Sequence, residues 1–408
     1  MEKTWACEAG MYHQPTAAGR QPTEEEKGPS SPSFAAKQPI LRDTVIKIDL
    51  AAIRHNMASI RALVGDDTAI MPVIKANAYG HGMTAIAPVL MQAGSRYLAV
   101  ATLSEACQLR ASYPTYPIFI LGHTPPAYAD YVVRGHFVQT VIDYRQALSL
   151  SEAACRLKTP VTVHLKAETG LYRLGMTDSE EMIRICELPG LHVEGIFSHL
   201  ALAAEEDDER QLARLLAFAE ILEKRGHKMT YVHIADSVAT VDKPSFRLNM
   251  IRPGSICYGL HSWESDAVLD VRQALRFETK VSQIHRVEPG QGVSYGYHWR
   301  VPRTRSALIA TLPFGYCDGY PRRLYEKGYV TIKGVKCPFA GLIGMDQCMV
   351  DASQVPDLAQ GDPVVIYGLG QGDGMSLQEA ADLCRTFKND IVGRLMARPP
   401  RLYTDEDR

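Results

Sequence analysis

Between Ala69 and about Gly259 the chain alternates short apolar, β-branched runs with stretches of helical periodicity. Each pair takes roughly 20 to 40 residues, the spacing of repeated βα units. The runs are Ala69–Lys75, Tyr97–Leu103, Pro117–Gly122, Phe137–Ile142, Val161–Lys166, Val193–His199, Tyr231–Asp236 and Met250–Arg252. Eight such units predict a closed (β/α)8 barrel, an α/β fold in which functional groups gather at the carboxyl ends of the strands and phosphate often binds after the seventh and eighth. Lys75, Lys166, His199, Ser237 and Arg252 each end or directly follow one of these runs. A strand over Thr44–Leu50 and a helix starting at Ala51, with Ile53, Met57 and Ile60 on one face, come first. Past about Trp263 the pattern becomes short strands and turns, as in Arg276–Val287, Ser306–Leu312, Tyr329–Lys333 and Pro363–Tyr367, which predicts a mainly β second domain. The first 42 residues show little apolar periodicity and are rich in Gly, Pro, Ser, Gln, Glu and Lys, which predicts a disordered tail. The expected segments are therefore a tail over 1–43, a barrel over 44–265 and a β domain over 266–408.

Composition narrows the function. With 408 residues and 46% hydrophobic content the chain can bury a large core. A net charge of −2 offers no basic field for nucleic acid or an anionic membrane. No apolar run approaches the roughly 18 residues of a membrane span, and the amino terminus lacks the pattern of a signal peptide. A cytoplasmic protein with a small-molecule partner is the expectation. The nine cysteines are scattered, without a Cys-x-x-Cys pair or a Cys/His cluster, which points to reduced thiols and to no metal site.

The stretch that carries chemistry is Met71-Pro-Val-Ile-Lys-Ala-Asn-Ala-Tyr-Gly-His-Gly82. An apolar strand does not leave an ammonium at its end without compensation, because burying an unpaired charge costs several kcal/mol. Lys75 is either a lysine snorkelling to the surface or a desolvated, nucleophilic amine of the kind that holds an aldehyde cofactor. The segment Ile-Lys-Ala-Asn-Ala-Tyr-Gly-His-Gly resembles the pyridoxal-phosphate (PLP) lysine motif of the alanine racemase family.

Further segments extend that resemblance, in the family's order, over roughly residues 44 to 402. His164-Leu-Lys-Ala-Glu-Thr-Gly-Leu-Tyr-Arg-Leu-Gly175 is similar to the segment whose lysine is often carbamylated and positions an arginine, matching Lys166 and Arg173. A carbamate would turn a buried cation into an anion able to pair with guanidinium, and pairing of the plain lysine with Glu168 is the alternative. Gly195-Ile-Phe-Ser-His199 resembles the strand ending in an active-site histidine, although one strand-end His by itself is more often structural. Tyr231-Val-His-Ile-Ala-Asp-Ser237 and Ile251-Arg-Pro-Gly-Ser-Ile-Cys-Tyr-Gly259 resemble the cofactor contacts. The resemblance places Tyr79, Ser237, Gly254 and Ser255 around the phosphate and Arg252 on the pyridine nitrogen. A guanidinium does not give up its proton, so it would keep that nitrogen unprotonated and favour racemisation over transamination or decarboxylation.

In the β domain, Gly292-Val-Ser-Tyr-Gly296, Phe314-Gly-Tyr-Cys-Asp-Gly-Tyr-Pro-Arg322 and Gly344-Met-Asp-Gln-Cys-Met-Val-Asp351 look like the catalytic-tyrosine, entrance-tyrosine and substrate-carboxylate segments. Alone, each could be an ordinary turn. Inversion at Cα needs a base and an acid on opposite faces, so the resemblance implies Lys75 on one face and Tyr295, from the second subunit of a homodimer, on the other. It also implies substrate contacts from Arg173, Met345, Asp346 and Tyr316.

Three departures bear on substrate. The family's Tyr-Arg-Val-Pro-Arg, whose tyrosine touches phosphate and crowds the substrate methyl, is Ala397-Arg-Pro-Pro-Arg401. The usual Gly-Arg-x-Cys-Met-Asp is Gly341-Leu-Ile-Gly-Met-Asp346, and Glu205 stands where aspartate is common. All leave more room or weaker polar filtering, so serine or a range of amino acids is an alternative to alanine. PLP decarboxylases of similar architecture would use a different lysine context and a glycine-rich phosphate loop, neither of which is found. A degenerate, PLP-binding regulatory protein is the non-enzymatic alternative.

Overall fold

In the computed structural model, residues 40–261, 269–369, 372–395 and 397–405 are described. The first strand is β1 (Val45–Asp49), and Asp49 ends it by capping the helix Leu50–Val64, its carboxylate accepting from Ala52 N at 3.0 Å. Ala52, Ile53, Met57 and Ile60 form the buried stripe of that helix, as the spacing required. All eight predicted barrel runs contain a strand: β2 (Ala69–Ile70), β3 (Leu98–Val100), β4 (Ile118–Ile120), β5 (Val138–Val141), β6 (Val161–Lys166), β7 (Leu191–Phe197), β8 (Tyr231–His233) and β9 (Met250–Ile251).

Strands β3 to β8 pair in parallel in sequence order, and β2 pairs with β9. The ring closes at both joints. A parallel bridge joins Val73 to Ala99, and Arg252 N donates to Ala235 O at 3.0 Å. Side chains alternate across this wall. Met71, Val73, Tyr97, Ala99, Phe119, Val138, Phe197 and Met250 pack as one cluster within the ring. Ile70, Leu98, Val100, Ile118 and Ile120, on the opposite face, join the large core shared with the helices.

The second half adds β10 (Leu275–Lys280), β11 (Gln283–Val287), β12 (Gly292–Val293), β13 (Trp299–Arg300), β14 (Ala307–Leu312), β15 (Tyr329–Ile332), β16 (Val335–Pro338), β17 (Cys348–Asp351), β18 (Pro363–Tyr367) and β19 (Arg401–Thr404). One six-stranded sheet has the order β16-β15-β18-β10-β1-β19, and β11, β14 and β17 form a second sheet. The opening strand, counted with the barrel in the sequence reading, therefore belongs to this β layer. Ile46 lies opposite Phe277 on one side and Arg401 on the other. The strand lies between two neighbours within the sheet, a placement that periodicity cannot reveal.

The segment expected to be disordered over 1–43 lies, up to residue 39, outside the described residues. Its last two residues are held: Arg42 bonds both carboxylate oxygens of the buried Asp318, and Asp43 pairs with Lys280. The expected boundary at 265/266 also touches residues outside the description. Residues 42–408 form one unit by their contacts. Two helices near the end, Leu377–Cys384 and Lys388–Gly393, interrupt the β pattern, and the second packs against Lys75–Tyr79. Among the described residues no helix is long and apolar enough to cross a membrane.

Candidate active site

Lys75 does not end a strand. It opens a turn in which Ala76, Asn77, Ala78 and Tyr79 all have left-handed backbone, with φ of 53°, 53°, 55° and 53°. Each such non-glycine residue costs about 1–2 kcal/mol, so the turn persists only because its surroundings determine it. Ala78 N donates to Ile74 O at 2.8 Å, Ala76 N to Glu105 Oε1 at 2.7 Å, and Met83 N to the Asn77 side-chain oxygen at 2.8 Å. His81 lies within 3.0 Å of Ala78 O and 2.9 Å of Tyr79 O through Nδ1, which must therefore carry the proton and donate. Burial pushes His81 down to about 4, so the ring is neutral, and it stacks on Tyr258 at 4.6 Å. The turn directs Lys75 into an open cavity.

That cavity, 460 Å³, collects nine of the predicted residues: Lys75, Tyr79, Lys166, Arg173, His199, Ser237, Arg252, Gly254 and Ser255. They come from the carboxyl ends of different strands, as a barrel site should. Four of the nine are cationic side chains, Lys75, Lys166, Arg173 and Arg252, and their field is felt throughout. The Lys75 amine is lowered first by desolvation and then by Arg173, with Glu105 opposing and Arg252 adding to the fall. His199 is driven down to about 2 by burial, Arg252 and Arg173, so it is neutral. Asp236 also lines the cavity, and burial raises its pKa although Ala239 N and Arg252 oppose the shift.

Arg252 is only 4% exposed and held on several sides. Its guanidinium donates to His233 Nδ1 at 2.7 Å and to Ser198 O and Ile234 O at 2.8 Å each. Burial lowers it to about 10, and it stays charged at neutral pH. Because a guanidinium can only donate, His233 accepts at Nδ1 and carries its proton on Nε2, which donates 2.9 Å to His164 Nδ1. His164 Nε2 in turn faces Glu194 at 3.4 Å. A fully buried chain of imidazoles thus runs from Arg252 through the barrel interior to a carboxylate.

Lys166 is 6% exposed, and burial with Arg252 lowers it to about 7. Its ammonium does not pair with Glu168, the alternative left open by the sequence. It donates to Ala167 O at 2.9 Å and reaches Ser198 Oγ at 3.4 Å, while Glu168 accepts from Gly170 N.

The β-domain residues are not brought to this cavity. Tyr295, Met345 and Asp346 line a separate one of 700 Å³, with Ser294, Leu342 and Gly344. Tyr295 is 72% exposed, in a turn where Ser294 has φ 65° and Ser294 Oγ donates to Leu342 O at 2.9 Å. Tyr316 N donates to Gly344 O at 3.1 Å, so the entrance-tyrosine segment is tied to the carboxylate segment. The Asp346 carboxylate is taken by Arg398 at 2.8 Å. Ala397 is exposed and lines neither cavity, whereas Phe387 and Asn389 line the first.

Comparison with known proteins decides what this arrangement is. Residues 48–262 match the alanine racemase N-terminal domain and residues 274–403 the alanine racemase C-terminal domain. The chain belongs to the alanine racemase family. It is 39% identical over 369 residues to the alanine racemase of Desulfovibrio desulfuricans, covering 88% of this chain and 97% of that one. The alanine racemase of Clostridium tetani is 36% identical over 373 residues, with 89% and 96% covered. Among solved structures, Clostridium difficile 630 alanine racemase superposes with a TM-score of 0.84 at 32% identity, covering 90% of this chain and 97% of that one. The Bacillus anthracis alanine racemase with bound L-Ala-P superposes with a TM-score of 0.83 at 29% identity, covering 90% and 96%.

Alanine racemases depend on PLP, and the donor set fits that cofactor. Lys75 offers an amine of lowered basicity and Arg252 a donor-only partner for the ring nitrogen. Tyr79, Ser237 and Gly254 form a cup in the lining. Gly254 N donates to Ser237 Oγ at 2.9 Å, and a Cβ on Gly254 would stand 2.6 Å from the Tyr79 hydroxyl, so only glycine leaves this wall open to a phosphate. Among the described residues no cluster could hold a metal.

Several participants went unread in the sequence. His164 and His233 lie within quoted segments, and the two-residue spacing of His164 and Lys166 on one strand puts both inside the barrel. Glu105, Phe387 and Asn389 carried no motif signal.

Proposed function

We propose that this protein interconverts L- and D-alanine with PLP, using Lys75 of one subunit and Tyr295 of the other as the two proton-transfer groups. The observation that carries the reading is that an amine of lowered basicity and a buried, donor-only guanidinium face one cavity beside a glycine-walled cup. When bound, PLP supplies the electron-accepting ring that makes the Cα proton of an attached amino acid removable. Lys75 takes or returns that proton on one face. The tyrosine hydroxyl does so on the other, and since Tyr295 lines a different cavity of its own chain, a homodimer would be required to bring the two together. Among the described residues the Arg173 guanidinium, which lines the cavity, makes no hydrogen bond or ion pair, so it is available to a carboxylate or phosphate. Arg252 would hold the ring nitrogen without protonating it, which would weaken electron withdrawal and favour prompt return of the proton over competing reactions. Lys166, with a pKa near 7, has enough neutral amine to add carbon dioxide and release a proton, giving a carbamate, an anion that would pair with Arg173.

A second reading, racemisation of serine as well, is favoured by one observation. Asn389, whose side-chain amide can donate to or accept from a substrate hydroxyl, lines the cavity. Chiral chromatography after incubation with L-alanine and L-serine decides between them. Formation of both D-isomers at comparable kcat/KM is expected. The Asn389→Leu variant should lower the serine value by about tenfold to a few hundredfold relative to alanine, the scale of a single side-chain contact. Loss of serine turnover in the wild type would leave alanine as the substrate, and absence of any D-isomer would point to a regulatory PLP-binding protein.

A further inference from the structure

One support of the left-handed turn after Lys75 comes from outside its own segment and the strand before it, a carboxylate on the helix Leu103–Ser112 that bonds the turn's first amide. Glu105 Oε1 accepts from Ala76 N at 2.7 Å, and Oε2 accepts from Ala101 N at 2.8 Å and Thr102 N at 3.2 Å. Glu105 is also the third helical residue of Leu103–Ser112, where Thr102 Oγ1 accepts from Glu105 N in a capping box. A capping box uses the carboxylate only for the cap's own amide. Here the same group reaches the residue that follows Lys75.

Resting on the reading of Lys75 as the cofactor lysine, we propose that Glu105 is its positioning residue. Its carboxylate clamps the first amide of the strained turn to the start of the helix and so fixes where the amine enters the cavity. A turn that gives up several kcal/mol of backbone energy needs such fixed contacts, because release of its first amide lets Ala76 relax to ordinary right-handed or extended backbone. Relaxation there would swing the Lys75 side chain. The same carboxylate is the anion that opposes Arg173 and Arg252 at the Lys75 ammonium; the remaining charged or titratable groups around the cavity are Lys166, His199, Asp236 and Tyr79.

The test compares Glu105→Gln with Thr102→Ala, which removes the other half of the capping box but leaves the contact to Ala76. Full-length protein freed of PLP is labelled with an amine-reactive reagent across pH, and Lys75 modification is read by peptide mapping. The same proteins, reloaded with PLP, are assayed for kcat and KM. A glutamine has one acceptor oxygen and one donor group, so it must set N–H against N–H on one side of the clamp. Glu105→Gln is expected to shift Lys75 labelling to lower pH and to lower kcat, by up to roughly a hundredfold, the scale of a one-ångström misplacement. Thr102→Ala should lower Tm while keeping the wild-type labelling profile and kcat. If Glu105→Gln does not fold, Glu105→Asp takes its place: it keeps the charge but is one methylene too short for both contacts, so kcat should fall with little movement of the labelling profile. A Glu105→Gln or Glu105→Asp protein that matches Thr102→Ala in both readouts would reduce Glu105 to a helix cap and overturn the proposal. Labelling needs no cofactor, so it judges Glu105 even if PLP were found attached elsewhere.

Discussion

Arg252 and its imidazole chain show how much of this site depends on protonation states fixed by partners. The guanidinium determines the His233 tautomer, His233 determines that of His164, and burial makes both poor hosts for a second proton. His81 is in the same position for a different reason, its Nδ1 proton being committed to two carbonyls. A histidine whose folded pKa is depressed binds protons better when unfolded, so stability is intact above the unfolded value of 6.5 and falls as pH drops below it. For His81 that fall continues to about pH 4 and contributes about 1.4 kcal/mol per pH unit. Denaturant melts of the cofactor-free chain should therefore lose stability through this window, and His81→Asn, which keeps a donor at the Nδ1 position, should show a shallower slope. At this scale legibility was uneven. Lys75, Arg252 and Ser237 stand in distinctive neighbourhoods, while a lone strand histidine such as His233 reads as core until its partners are seen.

The left-handed turn is the element that shapes the site, and it was only half legible. Gly80 and Gly82 announce unusual backbone, but Ala76, Ala78 and Tyr79 are poor left-handed residues, and nothing local predicts that they adopt it. Tertiary packing imposes the conformation. At Gly80, with φ 80°, a Cβ would come 2.5 Å from Val392 O, because the helix Lys388–Gly393 presses directly on the turn. Gly80→Ala should consequently lower Tm and weaken PLP retention on dialysis together, as the helix carrying Asn389 is pushed from the cavity. Unchanged retention would mean that the helix and the turn are not mechanically coupled. The alternating runs located all eight barrel strands for the opposite reason, since a buried parallel strand writes its pattern locally.

At the scale of the whole molecule, strand β1 was assigned to the barrel because order along the chain is legible and pairing across it is not; Phe277 and Arg401, its cross-strand neighbours, lie more than two hundred residues away. Assembly is equally invisible in a single chain. Tyr295 and Lys75 line different cavities, which supports sites shared across a dimer. Mixing Lys75→Ala and Tyr295→Phe chains should then restore activity, since a hybrid assembles one intact site from two wild-type halves. No recovery despite demonstrated subunit exchange would place Tyr295 outside the reaction or within its own chain's site. The expectations about turnover presuppose that Lys75 carries the cofactor. Borohydride reduction of the PLP-loaded protein, followed by proteolysis and mass mapping, reads that directly. The pyridoxyl adduct is expected on the peptide containing Lys75 and to be absent from Lys75→Ala; an adduct on Lys166 or on any other lysine would contradict the account.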